Sequence, residues 1–463
     1  MIEAAEALGS LEALLADAAG SRCLVSVTTV VDLDDPSAAV FGSRRADDRW
    51  FCWEQPDRDG FAIAGLGSAH EVVSRGASRF EDVASACAAV ARRRRADEPS
   101  GLPAGAGPVW VGGFAFDAAG AREPHWASFP PALAVLPELV LHRLGGRTHM
   151  TLSAVSDPAA DPRAVSAALG ARVAALRAEP LPLVDPHPTG SVRIASASPP
   201  EGYEASVTAA VERIRAGGLE KVVLAREVTV EAPRAHDPAA LYGALRELFP
   251  SCFCFCCGSG EGAFLGASPE LLVRRSGSSA ATVGLAGSTR RSADPSVDDH
   301  LGEQLRRSRK DRSEHEIVVR RIERALRPYS VWVEAGPEPE LIKVANIQHL
   351  GTPIHAQLAE PRSAVDLAGR LHPTPAVGGE PRGRALAAIG ELEEMDRGWY
   401  AGPVGWMDAA EDGEFCVALR SALLRDRTAH LFAGAGIVAD SRPDAELAET
   451  ELKLGALLPL VTG

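Results

Sequence analysis

No run of apolar residues in this chain is long enough to span a bilayer, so a membrane-embedded protein is not expected. Positive charge is short as well. Against 62 Asp and Glu there are 48 Lys and Arg, a net charge of −14, which leaves no cationic surplus to neutralise phosphates and argues against a nucleic-acid partner. The opening Met1-Ile-Glu-Ala-Ala-Glu6 lacks the basic start and apolar core of a signal peptide, so the expected location is cytoplasmic. The phosphate-binding loop, the dinucleotide fingerprint and any internal repeat are also missing. Cysteine is not scarce, but zinc sites usually space their ligands as Cys-x-x-Cys with a second pair elsewhere, and no second pair is present. Of eight cysteines, four crowd into Ser251–Cys257, where Cys252, Cys254 and Cys256 alternate with Phe253 and Phe255. That is the period of a strand, with cysteine as a small core residue. The run Arg92–Arg95 reads as the solvated end of an Ala-rich helix.

What is present is a globular composition, 46% apolar and 24% charged over 463 residues, enough for one large composite domain or two ordinary ones. Helices are predicted over 1–20, 80–95, 162–177, 201–216 and 238–247. Strands are predicted at 24–31, 50–53, 61–65, 109–117, 137–143, 148–154, 221–231, 252–257 and 270–275. The Pro/Ser/His-rich stretch 179–200 is a linker candidate or a surface crossing within one fold. The elements do not alternate strand–helix as in a doubly wound sheet, which favours an α+β layered architecture. Residues 1–190 are expected to form an N-terminal α+β region packed into the same fold, and residues 191–463 the catalytic domain.

Several polar residues sit where apolar ones belong. In the helix containing Lys310–Val319, the stripe Val318, Ile322 and Ala325 extends back to Glu314 and Asp311. Near the C-terminus, Glu446, Glu449 and Lys453 share a face that runs on to Leu457. Carboxylates on inward faces are either satisfied acids at the edge of a core or, as two facing sets, an oxygen-ligand site for a hard divalent cation such as Mg²⁺. Lys221 opens a buried strand, where desolvation would suit it as a base; a lysine snorkelling from a strand end is the commoner case. Glu270 follows Pro269 and precedes an apolar strand, so it is either a solvated strand-start carboxylate or an acid of raised pKa. Gly284–Thr289 and Phe432–Ile437 read as small-residue turns whose backbone N–H groups can approach an anion, or as plain tight turns. Arg420 is expected inside an apolar strand, where it needs a carboxylate from protein or ligand.

Roughly the last 265 residues resemble the chorismate-utilising enzymes: anthranilate, aminodeoxychorismate, salicylate and isochorismate synthases. The matching segments are Lys221-Val-Val-Leu-Ala-Arg226, Gly266-Ala-Ser-Pro-Glu-Leu-Leu272, Leu285-Ala-Gly-Ser288 and Lys310-Asp-Arg-Ser-Glu-His315. His349-Leu-Gly-Thr352, His372-Pro-Thr-Pro-Ala376, Tyr400-Ala-Gly-Pro-Val-Gly-Trp406, Ala433-Gly-Ala-Gly-Ile437 and Glu446-Leu-Ala-Glu-Thr450 with Lys453 follow in the family's order. The resemblance implies a layered fold with large, mostly antiparallel sheets flanked by helices, and a Mg²⁺-dependent reaction on chorismate. It matches Glu314 and Glu449 to metal ligands, with Asp311, often Glu in the family, and Glu446 supporting them. It matches Gly287, Ser288, Ala376, Tyr400, Arg420, Gly434, Gly436 and Lys453 to substrate-binding positions, and His349 to a histidine beside the ring. Lys221 matches the base that activates water at C2, and Glu270 the acid at the C4 hydroxyl.

Within the family, ammonia-using members generally lack the lysine found here as Lys221, and the aminodeoxychorismate type carries a lysine where this chain has Ala286. No glutamine amidotransferase subunit is therefore expected, and a monomer is. The resemblance is nearest to isochorismate synthases, in particular the longer menaquinone type, which Trp110-Val-Gly-Gly-Phe-Ala-Phe-Asp117 also resembles. The alternatives are a salicylate synthase, which goes on to eliminate pyruvate, and an isochorismate synthase of a siderophore pathway.

Overall fold

Alternation with a period of two sorts the side chains of a strand onto two faces, and the computed structural model shows what each face of the Cys/Phe run meets. The structure describes the chain except residues 1, 19–21, 158, 187–189 and 345–346; residues 1, 19 and 20 of the predicted first helix and 187–189 of the predicted linker lie outside the described residues. Phe253, Phe255 and Cys257 join an apolar cluster with Val111, Val404 and Phe415, whereas Cys252, Cys254 and Cys256 join another with Leu241, Tyr242 and Leu245 of helix Pro238–Leu248. Strand Phe253–Ser259 belongs to a 13-stranded sheet, and Val111, Val404 and Phe415 to a second sheet of ten strands. Two sheets thus share one core between them, and helices cover the outer face of the larger. This is the expected α+β layered fold.

Strands from both halves of the chain interleave in both sheets. Trp50–Gln55 pairs with Phe253–Ser259 in the register Cys52↔Cys256, and Val109–Phe114 pairs with Pro403–Asp408 in the register Gly112↔Gly405. Among the described pairs all are antiparallel except Leu24–Val31 with Arg95–Asp97. That exception corrects the reading of the arginine run. The helix stops at Ala91, and Arg95 enters a short, charged edge strand, the composition that discourages further pairing. Part of the predicted linker is also ordered into the sheet, with Arg193–Ser196 paired to Lys221–Glu231. No helix among the described residues is long and apolar enough to cross a membrane.

One end of the larger sheet carries strands Lys221–Glu231 and Thr428–Ile437, and one end of the smaller carries Ser279–Arg290 and Ile347–Leu358. Helix Arg309–Leu326 packs on Ser279–Arg290, and helix Pro443–Leu454 on Thr428–Ile437. Two expected turns are therefore strands. Gly284–Thr289 and Phe432–Ile437 both run inside the sheets, where small residues make room for neighbours and do not reverse the chain. Leu457 likewise lies past the end of its helix at Leu454, although it is buried.

Candidate active site

The two carboxylate-bearing helices start for local reasons. Ser308 caps the first by accepting a hydrogen bond from the Asp311 backbone N–H, and Pro443 opens the second at a position that needs no donor. Their inward faces then present acids to the sheets. The cleft that results, about 760 Å³ including its open mouth, is lined by Glu270, Gly287, Ser288, Glu314, His349, Ala376, Tyr400, Arg420, Gly434, Gly436, Glu449 and Lys453. Lys221, Asp311 and Glu446 stand immediately behind that lining.

Each of the two lining acids from the helices is held by a lysine. Lys221, only 1% exposed, puts Nζ 2.8 Å from Glu314 Oε1, and Lys453 puts Nζ 2.8 Å from Glu449 Oε1. Lys453 also donates to the Gly434 carbonyl at 2.8 Å, and Ser288 Oγ donates to Glu449 at 3.0 Å. Burial pulls the Glu449 carboxyl up, but the charge of Lys453 and the two hydrogen bonds outweigh it and hold the group below its usual range. Behind them, Lys310 reaches Glu446 at 2.9 Å. Burial, reinforced by the charges of Glu314 and Glu449, raises Asp311; burial and Glu449 raise Glu446. These carboxylates offer only oxygen donors, the ligand type a hard divalent cation takes, but as placed Glu314, Glu446 and Glu449 are paired to lysines and would have to draw together to share one ion. Gly436 is required here, because a Cβ at that position would lie 2.5 Å from Glu314 Oε1 and 3.0 Å from Lys221 Cε.

Glu270 is buried just ahead of strand Leu271–Ser276, not solvated at its start. Its backbone N–H donates to Ser268 Oγ at 3.2 Å, and Thr374 Oγ1 donates to its carboxyl at 3.4 Å. Burial raises the Glu270 carboxyl to about 7, against the opposing pull of the Lys221 charge. An acid with that value is divided between donor and acceptor near neutrality, the condition for proton transfer.

Arg420 is not inside a strand. It sits at the corner between Gly413–Val417 and Ser421–Arg425 with φ at 46°, a left-handed conformation uncommon for arginine. It donates through Nη2 to His349 Nε2 at 2.8 Å, while His349 Nδ1 donates to the Gly287 carbonyl at 3.3 Å. Arginine cannot accept, so this pattern selects the neutral ring with its proton on Nδ1. Burial, then the charges of Arg420 and Lys453, hold His349 well below the usual histidine range. Arg420 lines the cleft; its Nη1 is buried without a hydrogen-bond partner, and no ion pair to a carboxylate holds the guanidinium among the described residues. Gly287, at φ 75° on a bulge between Ala286 and Ser288, gives the carbonyl that fixes the ring. Tyr400 stacks on Phe432, centroids 5.2 Å apart.

Three contributors carried no sequence signal of their own. Arg397 is buried, paired with Glu393, and donates to the carbonyls of Val223 and Val377 at 2.9 Å each, tying the strand of Lys221 to the wall of Ala376. Its i,i+4 spacing from Glu393 was visible but is common on any surface. Thr374 and Phe432 lay within motifs singled out for their neighbours.

A family model described as chorismate binding enzyme matches residues 10–462. The salicylate biosynthesis isochorismate synthase of Pseudomonas aeruginosa is 40% identical over 439 residues, 94% of this chain and 89% of that protein. Isochorismate synthase MenF of Bacillus subtilis is 32% identical over 447 residues, covering 95% and 94%. The solved structure of MenF, the menaquinone-specific isochorismate synthase from Escherichia coli, matches at TM-score 0.81 with 27% identity over 99% of each chain.

Proposed function

From the premise that this chain belongs to the chorismate binding enzyme family, we propose that it isomerises chorismate to isochorismate with Mg²⁺, acts without an amidotransferase subunit, and serves menaquinone synthesis. The observation that carries the reading is the pairing of a buried base candidate, Lys221, with a buried carboxyl, Glu270, raised to about 7 in the same cleft as an Arg420 guanidinium that no carboxylate among the described residues pairs.

The roles follow from placement. Arg420, which no carboxylate among the described residues pairs, takes a substrate carboxylate in a charge-assisted contact, with His349 holding it in position. Lys453 and the backbone around Gly434 and Gly436 line the same space, and Tyr400 and Ala376 bound the ring. Glu314 and Glu449 would hold Mg²⁺, with Asp311 and Glu446 behind them; a bound ion supplies charge neutralisation at the substrate's C1 carboxylate. Lys221 takes a proton from the water that adds to C2, the double bonds shift, and Glu270 gives its proton to the hydroxyl leaving C4. The atoms balance, since one water enters and one leaves.

Isochorismate for salicylate is a second reading, favoured by the 40% identical relative named for salicylate biosynthesis. Deleting the gene and feeding the mutant separates them. A requirement rescued by a menaquinone supports the first reading, and one rescued by salicylate the second.

A further inference from the structure

Outside the cleft, the same two strands that carry Lys221 and Gly436 carry a second cluster. Glu227 lies farther along Lys221–Glu231, and His430 lies at the other end of Thr428–Ile437. The third member, His125, comes from a short 3₁₀ turn at Pro124–Trp126 in the N-terminal half. One nitrogen from each ring and one carboxylate oxygen all lie within 4.8 Å of one another. His430 Nδ1 is 2.6 Å from Glu227 Oε1, and the rings of His125 and His430 lie 4.3 Å apart at 21°.

We propose that His125, Glu227 and His430 bind a transition-metal dication of the Zn²⁺ class, at a site separate from the Mg²⁺ carboxylates, which fastens the N-terminal half to the catalytic strands. Four observations support it. The donor set is two imidazoles and a carboxylate, which suits borderline ions and not Mg²⁺. Nε2 of His125 is buried with no hydrogen-bond partner, so a lone pair or N–H is left over at the cluster. Glu227 is buried, and its ion-pair partner is the ring of His430 and not a lysine or arginine, so a metal replacing the shared proton leaves no other cation stranded. The open cavity beside the cluster is lined by six carboxylates against two guanidinium groups, a field that draws cations and leaves room for a water as fourth ligand. Tetrahedral ligands around zinc stand roughly 3.3 Å apart, so ligand atoms spread over as much as 4.8 Å close up on binding, the half-exposed turn of His125 moving inward. Trp126, next to His125, stacks on Phe432, which stacks on Tyr400; a metal here therefore stiffens the support of the substrate pocket without entering it.

The test is Zn²⁺ titration of the full chain under saturating Mg²⁺, with Co²⁺ as a spectroscopic substitute. Expected are one equivalent of Zn²⁺ per chain, a raised thermal midpoint, and a visible Co²⁺ band. In His125→Gln binding weakens at least tenfold and the midpoint shift disappears, while isochorismate formation persists. Glu227→Gln and His430→Gln behave the same way, and Glu314→Gln keeps full Zn²⁺ binding. Absence of a bound equivalent in the wild type, or undiminished binding in folded His125→Gln, overturns the proposal. Loss of binding in Glu314→Gln with retention in His125→Gln overturns it too, because the ion would then belong to the carboxylate site.

Discussion

Lys221 and Glu270 are both buried charged residue types, Glu270 in the wall of the cleft and Lys221 behind it against Glu314. Lys221→Ala and Glu270→Gln should each lower kcat by about 10²–10⁴-fold with unchanged far-UV circular dichroism, which steady-state rates on purified variants will check. The acid must carry its proton, so kcat/KM should fall as pH rises through about 7. Stability has the same sign. The folded state holds the Glu270 proton more tightly than the unfolded chain, so this contribution is fully present below about 4.5 and is lost as pH rises to about 7. Its size is on the order of 3 kcal/mol, and a flatter melting-temperature profile over that range in Glu270→Gln would verify it. Arg420→Ala should raise KM for chorismate at least tenfold, and His349→Ala less, since it frees Arg420 without removing it; equal effects would contradict the positioning role of His349.

At the level of elements, the site depends on how closely a helix carboxylate and a strand lysine approach across a glycine. Gly436→Ala inserts a Cβ within 2.5 Å of Glu314 Oε1, so it should break the Lys221–Glu314 contact and lower activity about as much as Lys221→Ala, while the sheet pairing of Thr428–Ile437 survives in hydrogen exchange. Strand Lys221–Glu231 was legible from end to end because its apolar run is bounded by charge and is buried along most of its length. The acids of Arg309–Leu326 and Pro443–Leu454 were legible as polar breaks in apolar stripes. Long-range geometry was not. Thr374 meets Glu270 across 104 residues and Arg397 meets Val223 across 174, and neither separation leaves a local pattern. The glycine-rich stretches were misread as turns because glycine marks both chain reversal and close approach, and only the neighbouring strand shows which applies. Arg420 was placed one structural step away, inside a strand and not at the corner that turns it into the cleft.

Across the whole molecule, the two sheets draw strands from both halves, and the eight cysteines are all free of disulfides and buried. Burial pushes the thiols of Cys254, Cys256 and Cys416 well above their usual range. A thiol reagent should therefore label none of the eight rapidly in the native protein and all of them after denaturation, with activity unaffected by brief treatment. The family resemblance of the catalytic half was written in ordered motifs, and the family match extends over nearly the entire chain, as expected when one core lies between two interleaved sheets. The central claim is chemical, and product analysis tests it most directly. Chorismate incubated with the purified protein should give isochorismate when Mg²⁺ is present and none when the ion is chelated. Formation of salicylate with pyruvate, or turnover independent of Mg²⁺, would contradict the account.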